Sequence, residues 1–383
     1  MSREPSTVWW ASAAVDDAGQ PWDKFRAIVE QTGFLERLDR GDTVAVKLHM
    51  SEVGNIRGLR PMWARRVADL VKQAGGQPFV TDTTTLYRHG RVTLHKYLET
   101  AAAHGFCPQS MGCPVIIADG FKNAGTHVTQ QAEGFRRVPV AQAIYEADAM
   151  VSLAHPTFHP VFPLAGALKN LGMGCTTKEA KIAMHGQMAA PAFREEKCIG
   201  CLACLRICPG GAFEAGDGVV VFSEDQCVGC GDCIGVCQGG ALNPRWDADT
   251  ANTQLWTLEA ARAVLSTFDP GKVVHLAIGT DFTSGCDCGT NSLPIVVDVG
   301  LFGSNDPVAL DRACWDKVHA TPLYPGGRLD ELAKAPEGAA ALDLERDRVS
   351  VFWEKTEPAR FWNEIIPRAG LGRGEYRIEA VSA

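Results

Sequence analysis

The sequence predicts an α/β protein with a mostly parallel sheet, helices on both faces and a small inserted α+β domain. In both halves of the chain, short apolar runs rich in valine alternate with amphipathic segments, which is typical of parallel strands joined by helices. A cysteine-rich stretch interrupts this alternation. Since neither half alone supplies a finished sheet, we predict one α/β domain in two parts, residues 1–189 and 247–383, with residues 190–246 inserted between them.

The elements of the first half follow from hydrophobic spacing. Strands are predicted where short, valine-rich or isoleucine-rich apolar runs occur, at Thr43–His49, Pro78–Thr81, Val115–Ala118 and Ala149–Ala154. Helices are predicted where apolar residues recur at helical intervals, at Met62–Gln73, Val92–His104 and Pro139–Glu146. Gly75 and Gly105 are placed to end the first two of these helices.

The same alternation returns after the cysteine-rich stretch. The predicted strands are Val273–Ile278, Ile295–Leu301 and Tyr376–Val381. The predicted helices are Leu255–Phe268, Asp306–Lys317 and Pro358–Ile366, and Pro336–Ala341 is predicted to be a linker or a weak helix. Inside the insertion, Ala212–Ala215 and Val219–Phe222 flank a Gly-Asp-Gly turn and predict a small hairpin.

Composition excludes several classes of protein. A net charge of −8 over 383 residues argues against nucleic-acid or anionic-lipid partners, which require basic patches. No apolar run reaches the roughly 18 residues that a membrane span requires, and the N-terminus lacks the pattern of a secretory signal. Fourteen cysteines in a chain without secretory features favour a reducing compartment, so we expect a cytoplasmic protein.

Eight cysteines form two runs of identical C-x2-C-x2-C-x3-C spacing. This is the spacing of bacterial ferredoxins, in which the fourth cysteine of each run binds the cluster of the other run. It predicts a ferredoxin-like domain with two [4Fe–4S] clusters. The first would be bound by Cys198, Cys201, Cys204 and Cys237, and the second by Cys227, Cys230, Cys233 and Cys208.

Two other interpretations of the runs are weaker. Zinc sites usually use separated C-x2-C pairs, and disulfide frameworks belong to small secreted chains. The second run departs from the ferredoxin pattern in one respect, because Gln238 follows its last cysteine where Pro209 follows that of the first. A proline at this point shapes the chain and is not a ligand, so both clusters are expected.

A second group of polar residues follows the ends of predicted strands, where open α/β sheets bind their ligands. The residues predicted to bind a substrate are Lys47, His49, Asp82, Tyr87 and Asn170. Those predicted to act in catalysis are His155, His159, His185 and Lys169. Each histidine could instead be a hydrogen-bonded structural group. The glycine-rich segment 166–174 is neither a P-loop nor a dinucleotide fingerprint, and could be a turn against the sheet rather than a ligand site.

The segment Gly285-Cys-Asp-Cys-Gly289 contains a further cysteine pair. Two thiolates are too few for a metal site, and Cys175, His155, His159 or His185 would have to complete one for zinc or iron with Cys286 and Cys288. The pair could also be two buried thiols in a turn or an exchange-active pair. Three more cysteines are expected in the core, namely Cys107, Cys113 and Cys314.

The chain resembles the iron–sulfur centre proteins defined by a domain of unknown function, DUF362. The resemblance is carried by VAVKLHMSEVGN, TDTTTLY, ADAMVSLAH, GALKNLGMGC, the cysteine runs and DFTSGCDCGTNSLPIVVDVGLFGSNDPVALD. It implies the architecture rather than an activity, because the family has no established general function. The sequence PTFHPVFPLAG after His155 departs from relatives, which tend to have a lysine and more glycines in this loop.

These observations predict an iron–sulfur redox enzyme that delivers electrons to a substrate or metal held in an α/β crevice. Its partners would be an electron donor or acceptor protein and a small molecule. One alternative is a non-catalytic electron carrier or docking protein, although a carrier needs only about sixty residues. Another is a metal-handling or redox-sensing protein that uses Cys286 and Cys288.

Overall fold

A computed structural model describes residues 4–186, 190–246, 248–289, 293–335, 347–372 and 374–382. The predicted linker or weak helix Pro336–Ala341 lies outside these residues. In the part of the chain that the structure describes, no helix is long and apolar enough to cross a membrane.

Eight of the strands form one sheet, in the order β14-β1-β13-β12-β7-β2-β3-β4. Of these eight strands, only β13 runs antiparallel to its neighbours. In chain order the strands are β1 Ser6–Ala11, β2 Thr43–Lys47, β3 Gln77–Asp82, β4 Val115–Ile117, β5 Gly125–Thr129, β6 Arg137–Ala141, β7 Ala149–Ala154, β8 Ala192–Phe193, β9 Phe213–Ala215, β10 Val220–Phe222, β11 Leu242–Asn243, β12 Val273–Gly279, β13 Gly300–Ser304 and β14 Tyr376–Ala380.

Helices connect the strands and cover the sheet. They are α1 Pro21–Gln31, α2 Pro61–Gln73, α3 Leu94–Ala103, α4 Pro108–Met111, α5 Gln142–Tyr145, α6 Ala167–Gly172, α7 Lys178–His185, α8 Ala203–Ile207, α9 Asp232–Val236, α10 Thr250–Leu265, α11 Pro307–Ala320, α12 Arg328–Lys334, α13 Pro358–Arg360 and α14 Ile366–Ala369. A π-helical turn at Phe361–Ile365 joins the last two.

The central strands are buried on both faces because their side chains alternate between two cores. On β2, Val44 and Val46 pack in the core that contains residues of α1, α2 and α3. Ala45 lies on the opposite face, in the core that contains residues of α10. The prediction of an α/β fold with a mostly parallel sheet and helices on both faces is therefore confirmed. The sheet also joins the two halves of the chain, because β7 pairs with β12.

Two predicted elements are wrong. Pro139–Glu146 is not one helix, because residues up to Ala141 belong to β6, which pairs with β5. Val140 pairs with Thr126 and Val138 with Val128 in the antiparallel ladder, so backbone pairing with β5 makes this segment a strand. Ile295–Leu301 is not a strand over its length, since β13 begins at Gly300 and Val296 forms only an isolated bridge with Leu323.

The cysteine-rich segment, residues 190–246, contains two similar halves. Its entering strand β8 pairs with its leaving strand β11, and the predicted hairpin is present as β9 and β10. Corresponding backbone hydrogen bonds cross between the halves, from Arg194 N to Ala241 O at 2.8 Å and from Ser223 N to Ala212 O at 2.9 Å. The division of the chain at residues 189 and 247 stays a prediction.

Candidate functional site

A cavity of about 540 Å³ lies at the carboxyl ends of β2, β3, β7 and β12. Parallel strands bring the residues that follow them to one edge of the sheet, as ligand sites in open α/β folds require. The predicted residues that line this cavity are Lys47, His49, Asp82, Tyr87, His155, His159, Lys169, Asn170, His185, Cys286 and Cys288. The structure therefore brings together residues that are up to 241 positions apart in the printed sequence.

Cys175 does not belong to this group. Its side chain is fully buried, and its sulfur lies 4.0 Å from Met150 Sδ and 3.6 Å from Asn170 O. Burial raises the pKa of Cys175 to about 12. Among the residues that the structure describes, no group of three or more His, Cys, Asp or Glu side chains could hold a single metal ion. Cys175 therefore does not line the cavity with Cys286 and Cys288, whereas His185 does; the additional metal site stays a prediction.

A buried ion pair forms the floor of the cavity. Lys47 Nζ lies 2.9 Å from Asp82 Oδ1 and donates a hydrogen bond to Asn170 Oδ1 at 2.6 Å. Asn170 donates in turn to Ser152 Oγ at 3.0 Å, which ties α6 to β7. Burial acts to raise the pKa of Asp82, but the charges of Lys47, His49 and Arg91 hold it below its usual value. Lys47 and Asp82 thus neutralise each other.

Arg91 forms a second buried pair on the same side. Its Nε lies 3.0 Å from Glu52 Oε2, and Nη2 donates to the Tyr87 hydroxyl at 2.9 Å. Burial raises the pKa of Tyr87 well above its usual value, and the neighbouring Cys288 raises it further. At neutral pH the Tyr87 hydroxyl therefore keeps its proton and can donate it in a hydrogen bond to Cys288.

The two cysteines of the C-x-C segment lie side by side on the cavity wall. Cys286 and Cys288 share a hydrogen bond, which is the main reason why the pKa of Cys288 is well below its usual range. Burial opposes this shift, while Lys169 and Arg91 reinforce it. His49 Nδ1 accepts a hydrogen bond from Ser51 N at 3.1 Å. Its proton is therefore on Nε2, 3.5 Å from the Cys288 sulfur.

Lys169 is the cation that the site leaves available. Within the described part of the chain, its ammonium has no hydrogen-bond or ion-pair partner, and it lies on the cavity wall. Burial acts to lower the pKa of Lys169, but Cys288 and Cys286 raise it above its usual value. The side chain is therefore charged at neutral pH and can attract an anionic group.

The three predicted catalytic histidines differ in their hydrogen bonds. His155 Nε2 lies 2.7 Å from Thr280 O, and Nδ1 lies 2.9 Å from Asp287 Oδ2. Both partners accept, so both ring nitrogens carry protons. Burial acts to lower the pKa of His155, and Asp287 raises it above its usual value. His155 therefore orients the C-x-C segment and has no lone pair to offer.

His159 and His185 are neutral and have opposite tautomers. His159 Nδ1 accepts backbone hydrogen bonds at 3.0 and 3.4 Å, so Nε2 is the donor. His185 Nδ1 lies 2.8 Å from Lys181 O, which leaves a lone pair on Nε2. Burial lowers the pKa of His159 well below its usual value and that of His185 to about 4. Trp246 packs edge-on against His185, with ring centroids 4.8 Å apart.

Sequence reasoning missed several lining residues, which include Arg91, Lys181 and Asp287. Lys181 Nζ donates to Thr83 Oγ1 at 2.7 Å and to Thr84 O at 2.5 Å, and burial lowers the pKa of Lys181 to about 8. The sequence could have indicated Lys181, because it lies four residues before His185 on α7 and residues at this interval share a helix face.

The predicted cluster ligands separate into two neighbourhoods. Burial raises the pKa of Cys204, and the nearby Cys237 and Cys198 raise it further. Burial likewise raises the pKa of Cys233, with Cys230, Cys227 and Cys208 adding most to the shift and Cys204 of the other set adding less. Cys201, the remaining member of the first set, is exposed. The fourth cysteine of each run is thus near sulfurs of the opposite run.

Glycines let the end of each run approach the start of the other. A Cβ on Gly210 would lie 2.6 Å from Gln226 O, and one on Gly239 would lie 2.4 Å from Lys197 O. These are corresponding positions of the two runs, two residues beyond Cys208 and Cys237. A larger residue at either position would separate the two halves.

The second cysteine run packs on the elements that line the cavity. A Cβ on Gly231 would lie 2.8 Å from Ile182 Cδ1 and 3.7 Å from Leu86 Cδ2. Leu86 lines the cavity and belongs to the same buried cluster as Cys233 and Cys204. Asn123 Nδ2 also donates to Cys230 O at 3.0 Å. One layer of side chains therefore separates the second run from the cavity.

A family model for a domain of unknown function, DUF362, matches residues 44–316. No curated protein matches the sequence. Among solved structures, the chain is similar to the lactate racemase apoprotein from Thermoanaerobacterium thermosaccharolyticum, with 11% identity and a TM-score of 0.32. That match covers 72% of this chain and 51% of the other, so the chain spans about half the length of that structure. With most of its length matched by the family model, the chain belongs to the DUF362 family.

Proposed function

We propose that this protein is an iron–sulfur oxidoreductase that binds two [4Fe–4S] clusters and reduces a small anionic substrate in the cavity. The observation that carries the proposal is the packing of the second cysteine run against Leu86 and Ile182. It brings a predicted electron-carrying centre within one side-chain layer of a polar cavity. Bound clusters would supply one-electron transfer.

The donor set fits the two clusters. Three sulfurs of each predicted set come from one run, and the fourth comes from the end of the other, as ferredoxin ligation requires. Cys204 lies near Cys237 and Cys198, and Cys233 lies near Cys230, Cys227 and Cys208, with Cys204 of the adjoining set also in reach. A single tetrahedral ion needs ligand sulfurs within about 4 Å of one another. In a cubane each thiolate binds a different iron, so its ligands are spaced more widely.

Different exposure gives the two runs different roles. Cys201 is exposed in the first run, whereas Gly231, one residue beyond the corresponding Cys230, is buried against α7. The first run would therefore face an electron donor or acceptor protein, and the second would face the substrate. This order supports an electron relay in which electrons enter at the surface through the first run and reach the cavity through the second.

The cavity residues would bind the substrate and handle its protons. Lys169 would attract a carboxylate or phosphate, because Lys47 and Arg91 are already paired with carboxylates. His159 would donate a hydrogen bond from Nε2, and His185 would accept a proton at Nε2. The apolar wall that includes Leu86 and Trp353 would exclude water.

The cluster proposal is tested with serine variants of the fourth cysteines. In Cys208→Ser and Cys237→Ser, we expect electron paramagnetic resonance of the dithionite-reduced protein to show one altered centre each. Cys175→Ser is the matched control, since Cys175 is a fully buried cysteine outside the runs, and its spectrum should equal that of the wild type. Unchanged spectra in both run variants would contradict exchanged ligation.

The substrate proposal is tested by single turnover. Anaerobically reduced protein is mixed with a panel of small carboxylates and phosphate esters, and reoxidation is followed by the return of visible absorbance. Lys169→Met and His185→Gln should abolish substrate-dependent reoxidation while leaving the chromophore intact. Normal reoxidation in both variants would remove these residues from the site.

A further inference from the structure

We propose that Cys286 and Cys288 are a redox-active pair that alternates between a dithiol and an intramolecular disulfide on the cavity wall. The inference rests on the proposed function only for the origin of the reducing electrons. It assigns a chemical step to two residues that the cluster proposal does not use.

Cys286 and Cys288 lie close together. One residue separates them, both line the cavity wall, and their side chains are near enough to share a hydrogen bond. A disulfide needs Cα atoms within about 7 Å and Cβ atoms that face each other. Residues 287 and 288 form a turn, and a Cβ on the flanking Gly289 would meet no described atom within 4 Å.

Hydrogen-bond donors and a lysine surround the cysteine pair. His49 Nε2 carries a proton 3.5 Å from the Cys288 sulfur, and Lys169 lies on the same cavity wall. Thiolates beside cationic and N–H donor groups are the reactive form in thiol–disulfide exchange. A buried structural thiol such as Cys314, which is fully buried, lacks this environment.

The cysteine pair is accessible from the cavity. Both sulfurs line the cavity, and both residues are partly exposed. A small molecule in the cavity can therefore reach Cys288 without unfolding the protein. The competing explanation, a metal site, would need at least a third ligand beside Cys286 and Cys288.

Breaking the Cys286 Sγ–Cys288 Sγ bond takes two electrons and one proton, and yields one thiol and one thiolate that share that proton. A one-electron donor of the iron–sulfur class must act twice to supply the electrons. In the opposite direction, a small-molecule disulfide is the oxidant. The Cys288 thiolate attacks one of its sulfurs and releases one thiolate, then Cys286 displaces the second thiolate and loses its proton.

The pair would thus store two electrons beside the substrate. Its oxidation also removes the thiolate charge near Lys169, so that the ammonium attracts an anion more strongly. Electron storage and anion binding would therefore be coupled at this wall.

The test is a redox titration read by peptide mass. Purified protein is equilibrated anaerobically with mixtures of reduced and oxidised glutathione, alkylated and digested with trypsin. Residues 273–312 contain no internal lysine or arginine, and Cys286 and Cys288 are their only cysteines. We expect this peptide to change from doubly alkylated to an unalkylated internal disulfide as the mixture becomes oxidising. Double alkylation at every ratio, or glutathione attached to both cysteines, would overturn the proposal.

Two variants sharpen the result. Lys169→Met should shift the midpoint several-fold toward the disulfide, because the thiolate loses a stabilising charge; an unchanged midpoint would contradict the electrostatic argument. Cys314→Ser is the control and should titrate as the wild type does. Because glutathione supplies and removes the electrons in this assay, its outcome is independent of whether clusters are bound. A failed titration is therefore distinguishable from a failure of the cluster proposal.

Discussion

Replacement of Asp82 by asparagine tests whether the cavity floor is structural. The side chains of Lys47 and Asp82 are 1% and 5% exposed, and their charged atoms are 2.9 Å apart. Asparagine keeps the size of the side chain and removes its charge, which leaves the Lys47 ammonium buried without a counterion. Removal of one partner from a buried pair costs about 3–5 kcal/mol of unfolding free energy.

The contacts that remain place the loss near the lower end of that range. Lys47 still donates to Asn170 Oδ1 at 2.6 Å, and Arg91 keeps Glu52 at 3.0 Å. We therefore expect Asp82→Asn to lose about 3 kcal/mol, measured as a lower urea midpoint at an unchanged slope of unfolding free energy against urea. Since the pKa of Asp82 is lowered in the folded state, its contribution is present at neutral pH and disappears as pH falls through that lowered value.

Asp39→Asn is the matched control. Asp39 also pairs with a lysine at 2.7 Å, but its side chain is 84% exposed, and Lys272 keeps Asp42 at the same distance. An exposed pair contributes at most about 1 kcal/mol. If Asp82→Asn is no more destabilising than Asp39→Asn, Lys47 and Asp82 do not form a structural pair and are available for substrate.

Two further predictions concern α7 and the loop that packs on it. The pKa of His185 is lowered to about 4 in the folded protein. The contribution of its neutral ring to the free energy of unfolding is therefore fully present above about pH 6.5 and is lost as pH falls toward 4. Between pH 7 and pH 4, the wild type should lose about 3 kcal/mol more than His185→Gln, measured by urea unfolding at each pH; equal losses would contradict the assigned burial. Gly231→Ala should destabilise by about 2–5 kcal/mol, because its φ is +72° and its Cβ would meet Ile182 at 2.8 Å. Gly218→Ala, with a φ of +75° and open space, should lose only about 1–2 kcal/mol; similar losses in both variants would show that the second run does not pack on α7.

The convergence of the predicted site residues could be anticipated because topology enforces it. Parallel strands end at one edge, so strand periodicity predicts that Lys47 and Asp82 lie at the same edge of the sheet. Their mutual ion pair could not be predicted, because the pattern gives the edge but not the orientation of a side chain. Arg91 was missed for a related reason, since it lies in a long loop beyond Tyr87, where periodicity carries no signal.

The two wrong elements also have physical causes. Val138 and Val140 are equally compatible with a short helix, and only pairing with β5 selects the strand. In β13, Gly300 and Gly303 mask a strand because glycine has a low β-propensity. Gly303 is nonetheless required, since a Cβ there would lie 2.5 Å from Ile28 Cγ2 on α1. The packing of α1 against the sheet therefore requires glycine at position 303, although glycine is unfavourable in a strand.

The most direct test of the central claim is the iron and acid-labile sulfide content of protein purified without oxygen. Two [4Fe–4S] clusters require about eight irons and eight sulfides per chain. After dithionite reduction, we also expect two magnetically interacting signals, because the two predicted ligand sets share one small segment. Zinc without sulfide, or iron sufficient for only one cluster, would contradict the account.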